Sequence, residues 1–198
     1  GAVAKGPYLE VSGSYESGES IAELIAEHKV SPLFDTLENC AEKDKELKIQ
    51  RGLYLHQIAA LEKANARKNL VVTTGTGSGK TECFLIPIID SLLKEEEAGT
   101  LNDAVRAIII YPMNALANDQ IKRLQKLLKD HPTSRFGLYN GNTEQTKDRA
   151  LAEYQRVNGR NAHPLPNEVI CRDEMQTNPP HILITNYSML EYMMLRPK

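Results

Sequence analysis

The sequence has no long apolar run, no excess of either charge and no close pair of cysteines, and each lack removes a class of protein. Its longest apolar run, 107–111, is strand-sized, against the roughly 18 residues a membrane helix needs, so no membrane partner is expected. Residues 1–10 carry neither the basic start nor the apolar core of a secretory signal. Lys and Arg number 24 against 26 Asp and Glu, a formal net charge of −2, so no global field draws polyanions to the chain. Cys40, Cys83 and Cys171 are widely spaced and fit neither a disulfide framework nor a zinc site. They read as small buried hydrophobes in a reducing compartment, and a cytoplasmic location is expected. His28, His56, His131, His163 and His181 also lack metal-ligand spacing and read as surface or packing residues.

What is present is ordinary globular material: 198 residues, 41% apolar and 25% charged, enough for one domain or one domain with an appendage. Residues 1–50 open with a Gly/Ser-rich stretch, 6–18. A capping box follows, in which Ser20 and Glu23 start a helix with Ile21, Leu24 and Ile25 on its apolar stripe. A second, highly charged helix is expected over 35–49, and nothing in this small helical lead-in suggests chemistry. From residue 51 helix and strand alternate: helix 55–67, strand 69–73, helix 80–97, strand 105–111, helix 113–129, strand 135–139, helix 143–157, an irregular stretch, strand 182–185 and helix 188–195. Short β-rich runs separated by helix-length segments imply an α/β fold, a mostly parallel sheet with helices on both faces. The strand 69–73 is expected at its centre.

The densest signal is Val71-Val72-Thr73-Thr74-Gly75-Thr76-Gly77-Ser78-Gly79-Lys80-Thr81-Glu82. Alternate glycines let successive N–H groups turn toward one point, and a following helix adds the positive end of its dipole. Such a loop holds a polyphosphate. Lys80 would reach the outer phosphates and the Thr81 hydroxyl would sit on Mg²⁺. The strict G-x-x-x-x-G-K-[ST] pattern wants glycine where this chain has Thr74. Upstream, Arg51-Gly52-Leu53-Tyr54-Leu55-His56-Gln57 offers a Gln57 amide for an adenine edge and a Tyr54 ring for stacking. Downstream, Tyr111 to Gln120, Tyr139 to Thr143 and Thr185 to Leu190 each follow a strand.

Together these runs resemble the first motor domain of superfamily 2 DEAD/DEAH-box helicases. Gln57 matches the Q motif, Gly75–Thr81 motif I, Tyr111–Gln120 motif Ia, Gly141 and its neighbours motif Ib, and Thr185–Asn186 the Thr-bearing motif that follows. The wording of 111–120 and 184–197, and the lead-in Lys5 to Glu10 with Ser20 to Ile25, is similar to large bacterial members, several of which sit in phage-defence islands. The resemblance implies a RecA-like P-loop NTPase fold that takes ATP and Mg²⁺. It assigns nucleotide binding to Tyr54, Gln57, Thr76, Gly77, Ser78, Gly79, Lys80, Thr81 and Glu82, with Lys80 and Thr81 catalytic. It assigns a nucleic-acid backbone, DNA rather than RNA, to Pro112, Asn114, Ala115, Gly141, Asn142, Thr185 and Asn186. Such a grip is sequence-independent and local, which suits a chain of net charge −2. Asn114, Asn118, Asn142 and Asn186 would equally suit helix N-termini after strands.

The family also needs an apolar strand ending in Asp-Glu, for metal and water. Val169-Ile170-Cys171-Arg172-Asp173-Glu174 imitates one, but Arg172 breaks the apolar run, Pro179 and Pro180 follow, and the stretch precedes the Thr185 motif. Asp173 and Glu174 read as solvated residues. The expectation is therefore a truncated domain, the front of an ATP-dependent DNA helicase or translocase that ends before its acidic box and its second RecA-like domain. Alone it should bind nucleotide without hydrolysing it. The alternatives are the motor of a restriction or defence complex that translocates duplex without unwinding, and a non-catalytic nucleotide-binding module. The Met189, Met193 and Met194 tail reads as a core face.

Overall fold

The computed structural model describes residues 15–37 and 49–195. Cys40, the 5–10 lead-in and most of the helix expected over 35–49 lie outside the described residues. The capping box forms as read: Ser20 Oγ accepts from Glu23 N at 3.2 Å, and the Glu23 carboxylate accepts from Ser20 N at 2.7 Å. It starts α1 (Ile21–Ala26), and a 3-10 turn spans Pro32–Leu37. Unforeseen from the sequence, β1 (Ser17–Ser20) pairs antiparallel with β2 (Gly52–Tyr54). Ile21, Leu24, Val30 and Phe34 belong to one apolar cluster with Leu85, Ile89, Leu124 and Ile184.

The remaining elements follow the expected alternation, except that β5 and α6 arise within the stretch read as irregular. They are α2 (Leu55–Asn65), α3 (Glu82–Glu97), β3 (Ala107–Tyr111), α4 (Asn114–Leu128), β4 (Phe136–Tyr139), α5 (Lys147–Asn158), β5 (Glu168–Val169), α6 (Arg172–Thr177), β6 (Ile182–Asn186) and α7 (Tyr187–Leu195). All pairings within the main sheet are parallel, in the order β3-β6-β4-β5. Register places Ile109, Ile184 and Leu138 side by side on the face that α4 covers. The opposite face carries Ile108, Ile110, Leu183 and Gly137. There Met175 of α6 lies 2.8 Å from where a Gly137 Cβ would stand, so glycine is what lets α6 approach. Helices thus lie on both faces, as a RecA-like domain requires. The second face is only partly covered, leaving Ile108 51% and Ile110 46% exposed.

One expectation fails. Residues 69–73 form no strand, and Val71 is 89% exposed. An apolar, β-rich run becomes a strand only where a ladder partner takes its N–H and C=O groups. Among the described residues the sheet strands pair with one another and none reaches this segment. Leu70 and Val72 instead line an apolar cavity of about 530 Å³ with Ala64, Cys83, Phe84, Pro87 and Ile88. The segment therefore leads into the glycine loop without regular secondary structure, outside the sheet it was expected to centre.

Candidate functional site

The loop 74–80 is built by neighbours on three sides. Gly77 and Gly79 have φ of 78° and 73°, conformations that L side chains rarely adopt. Lys80 and Thr81 form a turn, and α3 starts at Glu82, two residues later than read. Its first turn is tightened by bonds such as Cys83 N to Lys80 O at 3.1 Å. Thr81 makes no side-chain cap bond to the helix. Its hydroxyl is thus uncommitted to the helix end and could serve as a ligand to Mg²⁺. No group of three or more His, Cys, Asp or Glu among the described residues could hold a metal alone.

Thr74, the departure from the strict pattern, has a definite role: its Oγ1 lies 2.6 Å from Oγ of the buried Ser78, which pins the two ends of the curl together. The Lys80 ammonium donates to the carbonyls of Thr74 at 2.8 Å and Gly75 at 2.6 Å. A phosphate entering the curl would compete for that ammonium with two carbonyls.

Gln57 is 1% exposed, and both ends of its amide are hydrogen-bonded within the protein. Its Oε1 accepts from Tyr54 N at 2.9 Å, capping α2, and its Nε2 donates to Gly79 O at 3.0 Å. The amide read as an adenine reader is, in this fold, a brace under the loop. A Cβ on Gly79 would stand 2.4 Å from Gln57 Nε2, so glycine is required there twice over. His56, read as a surface or packing residue, makes a second brace, with Nε2 2.8 Å from Ser78 O. Its ring stacks on Tyr54 at 5.6 Å between centroids, and Tyr15 packs against both at 5.4 Å. Arg51 lies 6.0 Å from the Tyr54 centroid. Tyr54 is thus half-buried in an aromatic group beside the loop. Burial pushes the Cys83 thiol up, and Glu82 adds to the effect, so this cysteine beside the loop stays protonated. Glu82, expected among the nucleotide contacts, is committed elsewhere: Oε1 accepts from Arg123 Nη2 at 2.7 Å.

The residues read as a nucleic-acid groove gather at the carboxyl ends of β3, β6 and β4, which lie next to one another. Pro112, Asn114, Ala115, Gly141 and Asn142 are exposed there. Asn186 Nδ2 donates to Asn114 Oδ1 at 2.7 Å, joining two of the expected motifs. Its Oδ1 accepts from Met189 N at 2.7 Å, so it also caps α7, the plainer role an asparagine can have here. Thr185 leaves the groove. It is fully buried, and its hydroxyl donates to Tyr139 O at 2.7 Å inside the sheet.

Sequence reasoning passed over Arg172. Its Nε donates to Thr143 O at 2.8 Å, its Nη2 to Asn140 O at 3.1 Å, and its guanidinium lies 5.2 Å from the Tyr139 ring centroid. It fixes the turn that presents Gly141 and Asn142. The only signal was the oddity of an arginine at the end of an apolar run. Asp173 and Glu174 lie in the first turn of α6, where Gln145 Nε2 donates to Asp173 and Arg135 lies 3.6 Å from Glu174.

A profile of the DEAD/DEAH box helicase family matches residues 54–165, more than half of the chain. Druantia protein DruE from Escherichia coli is 32% identical over 98% of this chain and 15% of its own length. ATP-dependent helicase Lhr-Core from Methanothermobacter thermautotrophicus is 30% identical over 66% of this chain and 14% of its own. The chain therefore spans about one seventh of these curated relatives. Among solved structures, DUF1998 helicase MrfA bound to DNA and AMPPNP superposes with a TM-score of 0.52 and 25% identity, over 84% of this chain and 18% of that one. DEAD-box helicase Mss116 bound to ssRNA and UDP-BeF gives 0.59 at 18% identity, over 92% and 31%, a likeness of fold.

Proposed function

The chain belongs to the DEAD/DEAH box helicase family, and from that premise we propose that it is the ATP-binding part of an ATP-dependent DNA helicase or translocase in the bacterial defence setting. The observation that carries this reading is the loop 74–80, held from below by Gln57 and His56 with the Lys80 ammonium drawn into its curl. In this reading Lys80 moves from the carbonyls of Thr74 and Gly75 to the outer phosphates and neutralises charge there. Backbone N–H groups around Thr76, Gly77, Ser78 and Gly79 hold the inner phosphates. The Thr81 hydroxyl would help hold a magnesium ion, which would supply positive charge to offset the triphosphate. Tyr54 stacks on the base. Gln57 keeps Gly79 in place and reads no base edge.

DNA passes along the strand ends, gripped by Pro112, Asn114, Ala115, Gly141, Asn142 and Asn186. The MrfA complex with DNA and AMPPNP supports this choice of strand and nucleotide. No acidic pair stands at the loop among the described residues, since Asp173 and Glu174 are tied to Gln145 and Arg135. We therefore place the water-positioning acid, the second RecA-like domain and its arginine in other parts of a protein as long as the relatives. The cradle alone binds without turning over.

The test is thermal unfolding with and without ATP·Mg. A hundredfold excess over Kd adds about 2.7 kcal/mol, on the order of 5–10 °C in Tm at this chain length. Lys80→Ala should remove most of that gain. An undiminished shift in Lys80→Ala would show that nucleotide binds elsewhere.

A further inference from the structure

Glu82 opens α3 directly after the loop, and Arg123 lies midway along α4, the helix that begins with Asn114. Their 2.7 Å ion pair has side chains only 16% and 19% exposed. Phe34, Leu85, Ile86, Ile89 and Leu127 surround it. The second Glu82 oxygen is buried without a hydrogen bond and lies 3.0 Å from where a Gly79 Cβ would stand. At the other end, Arg123 belongs to α4, which packs on β3, the strand that ends at Tyr111 just before Pro112. The pair thus joins α3, at the floor of the nucleotide loop, to α4, the helix whose start carries expected DNA contacts.

We propose that Glu82 and Arg123 are positioning residues that couple nucleotide binding to DNA binding, neither touching nucleotide nor DNA. This inference rests on the reading of the loop and the strand ends given above. A charge pair in apolar surroundings is stiff, because separating it leaves a buried charge uncompensated. When phosphate draws Lys80 off the loop carbonyls, the backbone at Gly79–Thr81 adjusts and the first turn of α3 goes with it. Glu82 passes that displacement to α4 through Arg123. The helix start at Asn114, hydrogen-bonded to Asn186, then moves relative to Gly141 and Asn142. Glu82→Gln weakens the link without changing its shape. Exchanging the two charges rebuilds it.

The experiment measures the affinity of a fluorescein-labelled single-stranded DNA for this chain, with and without saturating AMPPNP·Mg, and the reciprocal effect of DNA on a fluorescent ATP analogue. By linkage the two coupling factors must agree. We expect about fivefold coupling or more in the wild type, within the usual range for linked sites. In Glu82→Gln and Arg123→Gln it should fall below about twofold, while the Kd of each ligand alone stays within about threefold, a separation that plain loss of structure would not give. Glu82→Arg/Arg123→Glu should recover at least half of the wild-type factor. Arg123→Lys, which keeps the charge but loses the planar fork, should be intermediate, and it supplies the comparison if Arg123→Gln does not fold. Single variants with wild-type coupling, or a folded exchange variant with none, would overturn the proposal. A wild-type chain that binds both ligands without coupling sinks the strut and leaves the functional reading standing. A chain that binds neither sinks that reading as well.

Discussion

Replacing Gln57 separates two roles for the same amide, a brace and a base reader. Gln57→Ala deletes the bonds to Tyr54 N and Gly79 O. Gly79 O keeps Glu82 N at 3.2 Å and the Cys83 thiol, so Tyr54 N is the group that loses its side-chain partner. An unsatisfied group costs about 1–3 kcal/mol when buried, and Tyr54 is only half-buried, so the lower part of that range applies. The cost is about 1–2 kcal/mol, or roughly 2–8 °C in Tm for a chain of this size. Gln57→Glu dissects the effect. Its carboxylate still accepts from Tyr54 N, preserving the cap of α2, but sets an oxygen against the Gly79 carbonyl. With the brace lost, the loop must be ordered by the ligand, and ATP and GTP should weaken alike, by about tenfold for each 1.4 kcal/mol of ordering cost. Thermal unfolding and fluorescent-nucleotide titration of wild type and both variants give the comparison. A Gln57→Ala chain with unchanged Tm that loses only its preference for ATP over GTP would refute the brace and restore the adenine contact.

Arg172→Ala removes two charge-assisted bonds and a ring contact from the 140–143 turn, so DNA affinity measured by anisotropy should fall about tenfold while the ATP-induced Tm shift persists. Asp173→Ala/Glu174→Ala should leave nucleotide-induced stabilisation intact; loss of a hydrolysis rate present in the wild-type chain would instead identify these residues as the acidic box. Burial holds the His181 pKa below its usual value, helped by Arg135 and Arg106, and Nδ1 accepts from Arg135 N at 3.1 Å. The unfolded chain therefore binds that proton more readily. The His181 contribution is full above about pH 6.5 and lost as pH falls below it, so urea unfolding between pH 7.5 and 5 should show a steeper decline for wild type than for His181→Gln.

The glycine loop was legible because its chemistry is local. Backbone turns at Gly77 and Gly79, and the lysine beyond them, follow from residue type and order alone. The crossover pattern was legible too, since β-rich runs between helix-length segments have few ways to close, and β3, β4 and β6 formed as expected. The Ser20–Glu23 cap needs only its own four residues. What the sequence could not decide is where a side chain ends when its partner lies far along the chain. Gln57 and Gly79 meet 22 residues apart, Glu82 and Arg123 41 apart, and Thr185 and Tyr139 46 apart. Each meeting gives the side chain a partner that residue type could not foretell: a backbone carbonyl of the loop for Gln57, the Arg123 guanidinium for Glu82 and a sheet carbonyl for Thr185. The run 69–73 makes the same point for the backbone. Its β propensity is a property of the residues, but a strand exists only where a neighbouring backbone accepts its hydrogen bonds, and tertiary structure alone supplies that neighbour.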